Sequence, residues 1–178
     1  MNVHGINDSC RGEVSSPDSH QGARNTVPLR KDLPEGWAWK TLGEVRHDRS
    51  AGIVPNKTPN QHFELYSVPS FERQYPELLT GKEIGSNKQI VEEGTVLLCK
   101  INPRINRAWV VGSHSKHQKI ASTEWIPFSP VKYIAPKYLC FFLQQNAVRD
   151  FLASNVSGVG GSLMRVRPAV ISPLSHLS

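Results

Sequence analysis

No stretch of this 178-residue sequence approaches the roughly 18 uninterrupted apolar residues of a membrane span. The opening MNVHGINDSCRGEV also lacks the cationic start and apolar h-region of a secretory signal. Together these absences point to a soluble, cytoplasmic protein with no membrane partner. Cysteine is scarce. Cys10, Cys99 and Cys140 form an odd set without CxxC or Cys/His ligand spacing, which argues against a disulfide framework and against zinc. Cys99 and Cys140 lie in apolar runs and read as small core residues. His4 and His20 are too isolated to suggest a metal. Most telling is a local absence of acid: between Glu93 and Glu124 there is no acidic residue.

That acid-free interval carries Lys100, Arg104, Arg107, Lys116 and Lys119, with His114 and His117 beside them and Asn102 and Asn106 between the cations. The net charge is +6, and residues 1–36 hold four cations against five acids, so the rest of the chain carries 17 cations against 10 acids. The basicity belongs to the part that folds. Such a cluster has the footprint of a polyanion site, and it is equally what one solvated face of a sheet looks like. In the second case Arg104 pairs with Glu92 or Glu93.

Several chemistries are missing. Metal-dependent nucleases cluster carboxylates, whereas the acids here are scattered. Asn102-Pro103-Arg104-Ile105 is not the Asn/Asp-Pro-Pro-aromatic loop with which amino-methyltransferases hold a flipped base. No Ser/His/Asp or Cys/His set is recognisable from spacing. The glycine-rich stretch Ser157 to Arg167 lacks the GK[ST] of a P-loop and a following strand-helix unit, so a flexible connector and a backbone contact to phosphate remain the two readings of it.

Residues 1–32, rich in Ser, Asn, Gly and Asp and without hydrophobic period, are expected to be a disordered leader. The domain is expected over 33–168, opening at Leu33 with a Pro34/Gly36 turn, the anchors Trp37 and Trp39, and a helical turn at Thr41–Val45. Phe63–Val68 alternates like a half-buried strand, Thr95–Cys99 reads as a fully buried one, and Ala108–Val111 and Ile120–Phe128 as two more. The Lys100–Arg107 segment, bent by Pro103, then forms the tip of a hairpin-like unit. One helix is expected from Lys137 to Leu152, with Pro136 in its first turn and positions 138, 141, 142, 148 and 152 on its apolar face. The fold class is mixed α+β (α/β): a twisted, mainly antiparallel sheet with a few helices. Residues 169–178 are read as a truncated tail.

The opening LPEGWAWKTLGEV, the central GTVLLCKINPRINRAWVV, the strand IASTEWIPF, the helix with YLCFFLQ and the loop SGVGGSLMRV resemble, in this order, the DNA specificity subunits of type I restriction-modification systems. The resemblance runs from about Leu33 to Arg167. It implies a target recognition domain that binds half of a split double-stranded DNA site and holds a methyltransferase on it. Modification and restriction subunits would be its partners, S-adenosylmethionine and ATP would belong to them, and the chain itself would be non-catalytic and cofactor-free. Lys100, Arg104, Arg107, Lys116 and Lys119 are then expected along phosphates, with Asn102 and Asn106 between them as further DNA-binding residues. Arg49, Asn56, Gln61, Arg73 and Gln74 are the candidates for reading bases, with Ser157, Gly158, Arg165 and Arg167 as a further contact. Members of this family carry two such domains, each followed by a long helix, whereas this sequence has one domain and stops soon after Pro168. Two rivals stand beside this reading: a remnant that acts only in protein interaction, and a small nuclease or methyltransferase.

Overall fold

A computed structural model describes residues 33, 35–45, 50–157, 164–171 and 175–177. All but Leu33 belong to the compact unit Pro34–Ser178. The expected leader, residues 1–32, lies outside the described residues. In chain order the elements are β1 (Trp39–Thr41), α1 (Leu42–Val45), β2 (Gly52–Ile53), β3 (His62–Tyr66), β4 (Glu77–Thr80), β5 (Lys88–Ile90), β6 (Val96–Cys99), β7 (Ala108–Val110), β8 (Gln118–Ser122) and β9 (Trp125–Phe128). Then come α2 (Pro136–Leu143), α3 (Asn146–Ser154), β10 (Val156–Ser157), β11 (Arg165–Val166), α4 (Pro168–Ile171) and β12 (Ser175–Leu177). Short 3-10 turns at Pro55–Lys57, Pro69–Arg73 and Gly81–Glu83 fill the connections between the early strands.

β6 explains the architecture. All four of its residues are buried, because it is the middle strand of a three-stranded antiparallel sheet ordered β7-β6-β9 and both faces of that sheet are covered. Alternate side chains of a strand point to opposite faces. Val96 and Leu98 join Leu139, Leu143, Val148 and Leu152 of the helices in one cluster, while Leu97 and Cys99 join Tyr66, Trp109, Ala121 and Trp125 on the other side. A five-stranded sheet ordered β2-β5-β8-β3-β4 supplies that other side. Its pairs are antiparallel except for β3 with β8, which run parallel. The mixed α+β class with a mainly antiparallel sheet is the observed one.

Three expectations about elements need correction. Ile120–Phe128 is two strands: β8 lies in the larger sheet, Thr123 and Glu124 turn the chain, and β9 enters the smaller sheet. The switch is fixed by Trp125, whose indole N–H donates across to the Tyr66 carbonyl at 3.0 Å. The expected single helix is α2 and α3, broken at Gln144 and Gln145. Asn106 donates its amide to the Gln144 carbonyl, Gln144 donates to the Ala108 carbonyl at 3.2 Å, and Gln145 adopts extended backbone. In α2 the buried pair is Leu139 and Leu143, whereas Tyr138 and Phe141 face outward. The third concerns β3, read as half-buried: positions 63–66 are all buried, since both faces of that sheet are covered at this point.

The segment 169–178, read as a tail, contributes to α4 and to β12, which pairs antiparallel with β1 through Trp39↔Leu177. Among the described residues no helix is long and apolar enough to cross a membrane.

Candidate nucleic-acid interface

The expected hairpin is present: β6 and β7 pair antiparallel, and residues 100–107 join them. Asn102 takes a left-handed conformation (φ 47°), and its carbonyl accepts from the Ile105 N–H at 2.9 Å, so Pro103 and Arg104 form the tip of a tight turn. A second strand-like contact stiffens this loop. The Val166 N–H donates to the Lys100 carbonyl at 2.9 Å, and the Asn102 N–H donates to the Met164 carbonyl at 2.9 Å. The C-terminal end of the glycine-rich segment is thereby docked on the basic loop, and its N-terminal end is joined to it through the pairing of Ser157 with Arg165 between β10 and β11. Gly158 lies outside the described residues, as does Arg49.

Partners separate the expected contact residues into two groups. Arg107 has a mostly buried side chain whose Nε lies 3.3 Å from Glu72. Arg73 pairs with Glu77 at 3.4 Å, and Arg165 pairs with Glu124 at 2.9 Å. Lys119 lies 3.7 Å from Glu64 and is nearly buried with it. By contrast Lys100, Arg104, Lys116 and Arg167 have no acidic partner among the described residues, and Arg104, Lys116 and Arg167 are exposed. Arg104 does not pair with Glu92 or Glu93. Of the amides, Asn106 is engaged with the end of α2, Gln61 donates to Gln118 at 2.9 Å, and Gln74 donates to the Phe71 carbonyl at 2.7 Å. Asn56 is exposed on the Pro55–Lys57 turn.

The segment from Pro69 to Glu77 connects two clusters of these residues. At one end Glu72 meets Arg107 of the basic loop; at the other Tyr75 packs edge-on to His114, with ring centroids 4.8 Å apart. Beyond His114, His117 lies 5.3 Å from His62, next to the Gln61–Gln118 bond. The basic interval is thus laid out over adjoining loops of both sheets. No single strand face carries it.

Beneath the loop 112–117 sits a residue that sequence reasoning passed over. Glu64 is 1 % exposed. Its carboxylate accepts from the Tyr66 hydroxyl at 2.7 Å and from the Ser115 hydroxyl at 2.6 Å. Burial by itself would raise its pKa, but the hydrogen bonds from Ser115 and Tyr66 and the charges of Lys119 and His114 outweigh burial and hold it below the usual carboxylate range. Burial pushes the neighbouring Tyr66 phenol upward, so it stays protonated as a donor to Glu64. Cys140 is pushed up to about 11 by burial, and Cys99 is also raised, so neither thiol is an activated nucleophile. Among the described residues no group of three His, Cys, Asp or Glu side chains is arranged to hold a metal. Glu64, Tyr75 and His114 had no sequence signal as a set, because the strand β3, the turn before β4 and the connection into β8 meet only in three dimensions.

No protein-family model matches the chain. The EcoEI type I restriction enzyme specificity subunit of Escherichia coli is 25 % identical over 148 residues, spanning 76 % of this chain and 25 % of that protein. The HsdS subunit from Thermoanaerobacter tengcongensis superposes with a TM-score of 0.67 at 19 % identity, over 85 % of this chain and 39 % of that one. A chain from a structure describing assembly and conformational transition of the type I R-M system gives a TM-score of 0.67 at 20 % identity, over 82 % and 38 %. The chain therefore spans about a quarter of the curated relative's length and under two-fifths of either solved chain. In sequence and in fold, this chain is similar to part of a type I restriction enzyme specificity subunit.

Proposed function

We propose that this chain is a target recognition domain of a type I restriction-modification specificity subunit. On this reading it binds double-stranded DNA sequence-specifically and positions modification and restriction subunits on it, in the cytoplasm. The observation that carries the reading is the group Lys100, Arg104, Lys116 and Arg167: four cations without an acidic partner among the described residues, on a fold shared with specificity subunits. Cations held in internal pairs gain little from a phosphate, because binding first breaks the pair; unpaired ones release condensed counterions from DNA at no such cost. Lys119 and Arg107 are accordingly moved, in this reading, from the contact surface to the frame that supports it. Phosphate contacts fall, in this reading, to Lys100, Arg104, Lys116 and Arg167, and base contacts to exposed side chains between residues 56 and 75 and on the 112–117 loop.

The chain does no chemistry in this account; S-adenosylmethionine and ATP act on the partner subunits. The test is a titration of the full chain with a random-sequence duplex, with a parallel assay of methyl transfer from labelled S-adenosylmethionine. Duplex binding without methyl transfer is the expected result; methyl transfer by the pure chain would overturn it. An interaction role finds one favourable observation, the outward-facing Phe141, 65 % exposed, beside Tyr138 on α2. A surface of that kind is compatible with DNA binding on another side of the domain.

A further inference from the structure

The polar network under residues 112–117 is more than a charged loop requires. Taking a carboxylate and an ammonium out of water is costly, and apolar residues of the same volume would often serve stability as well. What a satisfied buried network does provide is one fixed arrangement. A phosphate contact has no need of it, since a lysine on a flexible stem finds a phosphate oxygen from many conformations. The side chains of Arg104 and Lys116 stand on the surface with no ion pair among the described residues. Reading a base edge is different, because its donors and acceptors must be held to within about half an ångström.

The feature held in place is His114. The Gly112 N–H donates to the Tyr66 hydroxyl oxygen at 3.0 Å; three residues later the Ser115 hydroxyl donates to Glu64 at 2.6 Å and accepts from the His117 N–H at 3.2 Å. Lys119 closes the set by donating to the Ser115 carbonyl at 3.1 Å. His114 lies between these two anchor points, with its ring folded back so closely that a Cβ on Gly112 would lie 2.8 Å from its Nε2. Its other support is Tyr75, placed by the left-handed Gln74 (φ 51°), whose side chain closes on the Phe71 carbonyl. Both rings are exposed, and neither the phenol oxygen nor the imidazole nitrogens have a hydrogen-bond partner among the described residues. Two solvent-facing polar tips are thus held side by side with no protein hydrogen-bond partner among the described residues.

Resting on the DNA-binding reading above, we propose that Tyr75 and His114 form a specificity-determining pair that contacts base edges, and that Glu64 is the positioning residue that fixes it. The phenol hydroxyl and the imidazole ring each offer an N–H or O–H donor, which suits them to the acceptors on the groove edges that help distinguish base pairs.

The test begins by enriching, with the full wild-type chain, duplexes from a library with a randomised centre. Affinity for an enriched duplex and for a scrambled one is then measured across salt for wild type, Tyr75→Phe, His114→Ala and Glu64→Gln. We expect the preference for the enriched duplex to fall about tenfold in His114→Ala and Glu64→Gln, and by less in Tyr75→Phe. In His114→Ala and Tyr75→Phe, binding of the scrambled duplex and its salt slope should stay at wild-type values. Equal losses on both duplexes would make these residues backbone contacts and overturn the proposal. So would a Glu64→Gln protein that melts earlier but discriminates as well as wild type. Should Glu64→Gln fail to fold, His114→Ala and Tyr75→Phe, at exposed positions, decide the outcome. A wild type that enriches no sequence refutes the DNA-recognition reading itself, whereas a wild type that selects alongside variants that select equally refutes this proposal alone.

Discussion

Replacing Lys119 by methionine separates its two assigned roles. As a phosphate contact, Lys119 would be dispensable for folding, and its loss would make duplex binding less salt-dependent by about 0.9 in log K against log salt. As the partner of Glu64, 3.7 Å away and almost as deeply buried, it is part of the frame. Lys119→Met keeps the stem but leaves the Glu64 carboxylate without its countercharge, and removing one member of a buried pair costs about 3–5 kcal/mol. Because the Ser115 and Tyr66 hydroxyls still bond to Glu64, the low end, about 3 kcal/mol, is expected. For a domain of this size that is a fall of roughly 10 °C in melting temperature. Arg104→Ala should behave in the opposite way, with an unchanged melting temperature and a salt slope reduced by about 1. Calorimetry and a salt series on the two proteins suffice. A Lys119→Met protein that melts like wild type and loses a unit of salt slope would refute the assignment.

Other perturbations follow from the same contacts. A Cβ on Gly81 would lie 2.3 Å from the backbone oxygens of Pro55 and Thr58; Gly81→Ala should therefore destabilise by about 1–3 kcal/mol in denaturant titrations. Lys88 is 8 % exposed, its Nζ bonds among the described residues to Ser86 alone, and burial lowers its pKa. Between that lowered value and the ordinary 10.5 the unfolded chain binds more protons than the folded one, so wild-type stability should rise with pH there. Lys88→Met should abolish that rise and stabilise the protein by roughly 1 kcal/mol at neutral pH. Glu44 is held at about 2 by the Thr41 N–H and hydroxyl and by Lys40. A depressed carboxylate contributes stability above its unfolded pKa and loses it as pH falls through the folded one, so acid unfolding of Glu44→Gln should lack the loss wild type shows between pH 4.5 and about 2.

What the sequence made legible was local chemistry. The continuous apolar run at Thr95–Cys99 identifies a strand covered on both faces, and Pro103 with its flanking asparagines identifies the turn. The helix break at Gln144 and Gln145 was invisible, because its cause is Asn106, 38 residues earlier in the chain. The strand switch at Thr123–Glu124 was hidden for a similar reason: β-branched and aromatic residues continue through it, and only the pairing of the second half with β6 shows that it belongs to another sheet. Among the candidate residues, the run of like charge from Lys100 to Lys119 marked the region. It could not tell the exposed Arg104 and Lys116 from Lys119 and Arg107, whose acids Glu64 and Glu72 precede them by 55 and 35 residues. Charge read along a sequence counts cations; only the fold shows which are already neutralised.

The central claim is that this chain binds duplex DNA through a few unpaired cations. The most direct measurement is the affinity of the full chain for a random-sequence duplex as a function of salt. Four contacts, from Lys100, Arg104, Lys116 and Arg167, at about −0.9 each predict a slope near −3.6 in log K against log salt. Absence of duplex binding at low salt, or a slope near zero, would contradict the account.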